Sequence, residues 1–506
     1  MSFGILYWLL IYNSMKIKNI NNLNLAKGTL FFPLQEKEPL NSTTFKDINN
    51  FLNLKIENIL KQKDFKWKEN ASVKLDLFNQ KQLTNLAIVC IADSKDFGTQ
   101  IENYRTFAAA IATLAKSYTS KTISLYSEKL NLGELEFCKG FLEGALLANY
   151  TFLKYKSKKI KEFNIAELLL INAKKNKISA IYKEVSEVCS GTILARDLVN
   201  TPPLDCTPSK LVAQARQIAK KSKLQIQIFD RKKLQKMKAG GILAVSKGSD
   251  EPPFLIKLTY RPRRKAKKVI AIVGKGVTFD SGGLSMKPAD GMMNMKIDMA
   301  GAAAVLGTMQ AIGTIKPDVE VRAYIPTTEN MINGSATRPG DVIRAMNGKT
   351  IEVLNTDAEG RLILADALSL AVKEKADEIV DLATLTGAVV VALGSDIAAI
   401  YCNNEKLEAK LKTAANLAGE KIWSMPLAKE YEHAIISSIA DIKNIGKGRT
   451  GGSITAALFL KHFVGDTPWA HFDIAGTAES DSAHDYIPKG GVGFGVRTLV
   501  QYLTAK

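Results

Sequence analysis

Glycine-rich, acid-bearing segments stand directly behind short apolar runs, and this placement constrains the fold more than any other feature of the chain. The run Val269–Val273 leads into Gly274-Lys275-Gly276-Val277-Thr278-Phe279-Asp280-Ser281-Gly282-Gly283. The run Thr350–Leu354 leads into Asn355-Thr356-Asp357-Ala358-Glu359-Gly360-Arg361. A short apolar run bounded by turn residues reads as a buried strand, and open α/β sheets bind ligands beyond the carboxyl ends of their strands. Val319–Ile325, Glu378–Leu382 and Trp469–Ile474 supply further strands, with helical segments at Gly301–Ile312, Arg361–Lys375 and Gly452–Phe463. Asn347-Gly348 is a hairpin signal. Leu86–Ala92 and Lys121–Tyr126 read as strands around a helical Tyr104–Ala115. Helix formers dominate from Ile165 to Asp197, predicting a long connecting helix or helix pair that Asn200-Thr201-Pro202-Pro203 stops. The expected organisation is therefore two α/β domains, residues 1–171 and 198–506, joined by a helix over 172–197.

At 506 residues, 46% hydrophobic and 24% charged, the composition is globular and excludes a disordered or collagen-like chain. No run approaches the ~20 apolar residues of a membrane span. Phe3–Tyr12 lacks the basic flank and cleavage site of a signal peptide, so residues 1–14 read as an upstream extension or disordered tail. Five scattered cysteines without a C-x-x-C pair suit a reducing cytoplasm, with neither a disulfide framework nor a thiolate metal site. Of the net charge of +19, residues 1–171 carry +7, from 23 Lys+Arg against 16 Asp+Glu. The excess is thus spread along the chain, densest at Arg261–Lys268 and Lys154–Lys161, and reads as solvated surface in preference to a nucleic-acid site.

The four histidines, His433, His462, His471 and His484, include no pair four apart, which excludes an H-E-x-x-H zinc helix. No G-x-S-x-G elbow is present. The chemistry left is that of carboxylates: Asp280, Asp298 ahead of a small-residue helix, Asp357 and Glu359. In an extended segment Asp357 and Glu359, two apart, would point to one side. Four converging carboxylates need cations to survive burial, and hard oxygen ligands suit Mn, Mg or Zn. Two dications balance four negative charges and could hold both a nucleophilic water and a substrate oxygen.

Lys275–Gly283, Met295–Gly301 and above all the octapeptide Asn355–Leu362 resemble the leucyl (cytosol) aminopeptidase family, whose bacterial members are called aminopeptidase A. The resemblance runs through residues 190–500, including Arg338-Pro339-Gly340-Asp341, Asp381–Ala388 and His471–Gly476. It departs at Leu204-Asp205-Cys206, outside the chemistry. It implies an N-terminal macrodomain-like α/β domain and a C-terminal catalytic α/β domain with a central mixed sheet flanked by helices. Carried over residue by residue, it makes Asp280 a bridge between two metals, gives one metal Lys275 and Asp298, gives the other Asp357, and has Glu359 touch both. Lys275 would have to ligate as a neutral amine. Lys287 and Arg361 would be catalytic, Lys287 on the substrate carbonyl oxygen and Arg361 holding a bicarbonate that acts as general base. Met295, Thr384 and Gly387 would shape an apolar pocket for the first side chain. The implied activity is metal-dependent removal of N-terminal residues, mostly leucine and other apolar ones, from peptides with a free amine. A cytoplasmic homohexamer is implied too, with an additional DNA-binding architectural role as the second reading and no membrane partner.

Overall fold

The computed structural model describes residues 15–35, 42–53, 55–76, 83–128, 130–157, 164–171, 178–446, 448 and 450–505. Residues 1–14, and with them the Phe3–Tyr12 run, lie outside the described residues, as does part of Lys154–Lys161. The chain forms two compact units, residues 1–186 with 483–488, and 187–482 with 489–506.

The first unit holds β1 (Lys16–Ile20), β2 (Gly28–Gln35), β3 (Ser72–Asp76), β4 (Leu83–Ile91), β5 (Thr122–Tyr126) and β6 (Glu167–Ile171), in the sheet order β1-β6-β5-β2-β4-β3. All pairings are parallel except β3 on β4. Central parallel strands are covered on both faces, and β2 and β4 are accordingly near-continuous apolar runs. Phe45, Ile48 and Leu52 of the helix Thr43–Leu52 pack with Leu30, Phe32, Leu34, Leu86 and Ile88. The helix expected from Ile165 is corrected here. Glu167–Ile171 is strand β6, between β1 and β5, and the helix runs from Ile178 to Asn200. A short Leu-Leu-Leu-Ile run suits a doubly covered strand as well as a buried helix turn, and periodicity cannot separate the two. The helix does end ahead of the double proline.

The second unit holds β7 (Gln225–Phe229), β8 (Phe254–Tyr260), β9 (Val269–Gly274), β10 (Gly276–Asp280), β11 (Glu320–Asn330), β12 (Asp341–Arg344), β13 (Thr350–Val353), β14 (Glu378–Ala383), β15 (Ala398–Cys402), β16 (Ile422–Ser424), β17 (Ile442–Lys443) and β18 (Trp469–Asp473). Its main sheet has the order β16-β15-β18-β14-β9-β11-β8-β7, with β10 also paired to β11. It is mixed: β18, β14, β9 and β11 run parallel, while β15 and β8 lie antiparallel to their inner neighbours. The buried helix Ala300–Ile315 belongs to one large apolar core and the helix Gly360–Lys373 to another. Small residues bring the first of these close to the strands, since a Cβ on Gly301 would lie 2.1 Å from the Leu382 carbonyl oxygen. β12 and β13 form the hairpin predicted at Asn347-Gly348, where Gly348 takes the left-handed φ of 95° such turns require. In the basic stretch Arg261–Lys268, Arg261 pairs with Glu320 and Lys268 with Glu378. Among the described residues no helix is long and apolar enough to cross a membrane.

Candidate active site

The carboxyl ends of the parallel strands deliver the polar residues to one place. Lys275 is the single residue between β9 and β10, Asp280 ends β10, Asn330 ends β11, Thr384 follows β14 and Asp473 ends β18. Oxygen atoms of Asp280, Asp357 and Glu359 lie within 4.8 Å of one another. Asp298 joins them through Lys275, whose Nζ lies 2.6 Å from Asp298 Oδ1 and 2.9 Å from Glu359 Oε1. The same Nζ donates to the Thr384 carbonyl at 2.8 Å, and Thr384 Oγ1 donates to Asp298 Oδ1 at 2.8 Å. Lys275, Asp280, Asp298 and Glu359 are buried, whereas Lys287 and Asp357 form the cluster's more open side. There Lys287 Nζ lies 3.0 Å from Asp280 Oδ2 and 2.5 Å from Asp357 Oδ1.

The segment Asn355–Glu359 is not the extended run in which acids two apart would share a side. It turns at Thr356-Asp357, and Glu359, with φ −76° and ψ −33°, already caps the helix Gly360–Lys373. Both acids are delivered to the cluster by a turn running into a helix. Gly360 has a steric reason to be glycine, because a Cβ there would stand 2.5 Å from Lys275 Cε. At Gly282, with φ of 87°, a Cβ would come within 2.9 Å of Asp357 Oδ1.

Four carboxylates face two ammonium groups, so the cluster is short of positive charge. Burial opposes the charge on Lys275, yet Asp298, Glu359 and Asp280 outweigh it and hold the amine protonated well above its ordinary range. Burial, with repulsion from Asp280 and, for Asp298, from Glu359, pushes the Asp298, Asp357 and Glu359 carboxyls up. Asp298 Oδ2 and Glu359 Oε2 are buried without a hydrogen-bond partner. Buried, unpaired carboxylate oxygens in an acid-rich cluster are what hard divalent cations satisfy, so this donor set fits a metal centre.

Arg361, in the first turn of the helix, is buried and donates from Nη1 to the Asn444 carbonyl at 2.8 Å. Burial pulls its pKa down to about 10, which leaves it charged at neutral pH, and its Nε has no partner. Of the residues expected to shape a substrate pocket, Thr384 is engaged with Lys275 and Asp298, Met295 is half-buried in the short helix Met295–Ile297, and Gly387 is exposed at a helix start.

Sequence reasoning missed the residues that hold these loops. Asn330 Nδ2 donates to Asp280 Oδ1 at 2.8 Å and to the Thr356 carbonyl at 3.0 Å. Thr356 Oγ1 donates to the Gly282 carbonyl at 2.7 Å and accepts from the Ser285 N–H at 2.8 Å, tying the two acid-bearing loops together. Asp473 accepts from the Thr386 hydroxyl at 2.6 Å and the Leu385 N–H at 3.1 Å, fixing the loop that presents Thr384. The Asp381–His471 pair, at 2.6 Å and fully buried, also takes a hydrogen bond from Trp469 Nε1 at 2.6 Å. The one local signal was a polar residue at the carboxyl end of an apolar strand, as at Asn330 and Asp473.

Comparison with known proteins agrees with this architecture. Residues 193–500 match the profile described as "Cytosol aminopeptidase family, catalytic domain", and residues 30–159 match that family's N-terminal domain. A probable cytosol aminopeptidase of Gloeothece citriformis is 43% identical over 461 residues, covering 90% of this chain and 93% of the relative. Among solved structures, a mutant of tomato leucine aminopeptidase is similar with a TM-score of 0.87 and 34% identity, covering 97% of each chain. The bottromycin maturation enzyme BotP in complex with Mn is similar with a TM-score of 0.83 and 31% identity, covering 95% of this chain and 99% of that one. With both profiles matched and such identity sustained over nearly the whole length, the chain belongs to the cytosol aminopeptidase family and is a peptidase, a hydrolase.

Proposed function

We propose that this chain is a metal-dependent exopeptidase that removes the N-terminal residue, leucine or another mostly apolar one, from peptides with a free α-amine. The observation that carries the reading is the convergence of Asp280, Asp357 and Glu359 oxygens within 4.8 Å, with Asp298 joined through Lys275. Asp280, Asp298, Asp357 and Glu359, joined by Lys275 once its ammonium has given up a proton to the arriving ions, would hold two divalent ions, Mn or Zn, and the Mn complex of BotP supports the choice. When bound, such ions supply Lewis acidity toward the scissile carbonyl and acidify a water nucleophile.

The chain's own groups do the rest. Lys287, on the open side, reaches the substrate carbonyl oxygen and donates to it as negative charge develops there. Asp280 and Asp357 hold its Nζ in place beforehand. Arg361, with a free Nε and a fixed Nη1, is the docking point for a bicarbonate ion. Lys275 and Thr384 orient Asp298, and Met295, Thr384 and Gly387 would border the place of the first side chain. A cytoplasmic homohexamer belongs to the same reading. Turnover of leucyl-p-nitroanilide against its N-acetyl derivative tests it. The free-amine substrate should be hydrolysed and the blocked one left intact, whereas equal hydrolysis of both would rule out an exopeptidase.

A further inference from the structure

Asn444 stands immediately after β17, the short strand that runs parallel to β13 with Ile351 opposite Ile442 and Glu352 opposite Lys443. The pairing is pinned at its start by Asp441, whose carboxylate accepts from both the N–H and the hydroxyl of Thr350 at 2.7 and 2.9 Å. It is extended by the Asn444 N–H, which donates to the Glu352 carbonyl at 3.0 Å. This register sets Asn444 beside the loop that leaves β13, where it is fully buried.

Its side chain is saturated there. Oδ1 accepts from the Leu354 N–H at 2.9 Å and the Asn355 N–H at 3.3 Å. Nδ2 donates to the Asn355 carbonyl at 2.6 Å and the Ala358 carbonyl at 3.4 Å. An asparagine amide offers two donors and one oxygen with two lone pairs, so all four capacities are spent on one loop. The carbonyl of the same residue receives Arg361 Nη1. Residues 355–359 lie outside the sheet ladder and ahead of the helix, so little of their own backbone bonding fixes their shape. Asn330 and Ser285 bond Thr356, and Asn444, 89 positions away from Asn355, supplies the bonds to Leu354, Asn355 and Ala358.

We propose that Asn444 is a positioning residue of the catalytic centre: its amide shapes the turn that presents Asp357 and Glu359, and its carbonyl aims the Arg361 guanidinium. The inference rests on the aminopeptidase reading above and assigns to it a residue distant in sequence. A residue that only closed a loop would change stability and leave the folded protein's turnover alone. A positioning residue changes the ligand geometry and the catalytic arginine while leaving substrate capture nearly as it was.

The test compares wild type with Asn444→Asp and Asn444→Ala. Asn444→Asp keeps the shape and the acceptor but turns an oxygen toward the Asn355 and Ala358 carbonyls. Mn²⁺ affinity of the metal-stripped proteins is measured by calorimetric titration, kcat and KM by hydrolysis of leucyl-p-nitroanilide, and folding by circular dichroism. For folded variants we expect a loss of roughly 10–100-fold in Mn²⁺ affinity and in kcat, the scale of losing a group that orients metal ligands, with KM nearly unchanged. Folded variants within about twofold of wild type in both Mn²⁺ affinity and kcat would overturn the proposal. So would failure of both variants to fold, which would make the residue structural. A wild type that binds Mn²⁺ but does not hydrolyse the substrate would refute the aminopeptidase reading instead, and the affinity comparison would still decide the role of Asn444.

Discussion

Two lysines serve one acidic cluster, and they are built differently. Lys275 is 3% exposed, locked between Asp298, Glu359 and the Thr384 carbonyl, with Gly360 pared down to make room for its chain. Lys287 is 16% exposed and spans Asp280 and Asp357 on the open side. A buried ammonium with three acceptors is part of the frame. An ammonium at the rim can exchange an acid partner for a substrate oxygen at small cost, because water reaches it. The contrast separates a residue that frames the cluster from one that, on the proposed reading, would work in it.

Replacing Lys275 should have the largest effect. Lys275→Ala leaves Asp298 and Glu359 buried without their cation, and breaking such a buried pair typically costs about 3–5 kcal/mol. Denaturant unfolding should show that loss, and metal analysis should show lowered occupancy with activity abolished. A stable, fully loaded Lys275→Ala protein would erase the contrast. Lys287→Ala should keep fold and metal content but lower kcat by roughly 100–1,000-fold, the scale of losing one oxyanion donor. Loss of metal from that variant would put Lys287 in the frame too.

Asp366 sharpens the comparison from the other side, since it is a buried acid held by backbone alone. Its oxygens accept from the Ile242 N–H at 2.9 Å and the Met346 N–H at 2.8 Å. Burial pushes its carboxyl up to about 7 even though these donors and that of Gly241 favour the charge. The unfolded chain releases this proton near the ordinary value of ~3.9, while the folded chain keeps it to about 7. Stability should therefore fall as pH rises from about 4 to about 7, by at most about 4 kcal/mol, and level off above. Asp366→Asn should remove that portion of the slope in urea unfolding at stepped pH. An unchanged slope would show that backbone donors alone keep Asp366 ionised.

The sequence made legible what is local. The apolar runs ahead of Lys275 and Asn355 told where strands end and which acids stand behind them. Helices such as Gly360–Lys373 followed from their composition, and the octapeptide Asn355–Leu362 carried the family. Glu167–Ile171 was misread because a five-residue apolar run has no period that separates strand from helix. The condition that would put Asp357 and Glu359 on one side, an extended segment, does not hold, because a helix begins at once behind them. Asn330 and Asn444 stayed invisible for another reason. Their partners lie 50 and 89 residues away, a distance that only the paired strands close.

The most direct measurement is metal content per chain together with leucine release from leucinamide, on one preparation before and after chelation. A two-metal centre requires two divalent ions per chain, hydrolysis lost when they are stripped, and hydrolysis restored on adding Mn or Zn. Undiminished leucine release from the metal-free protein would contradict it.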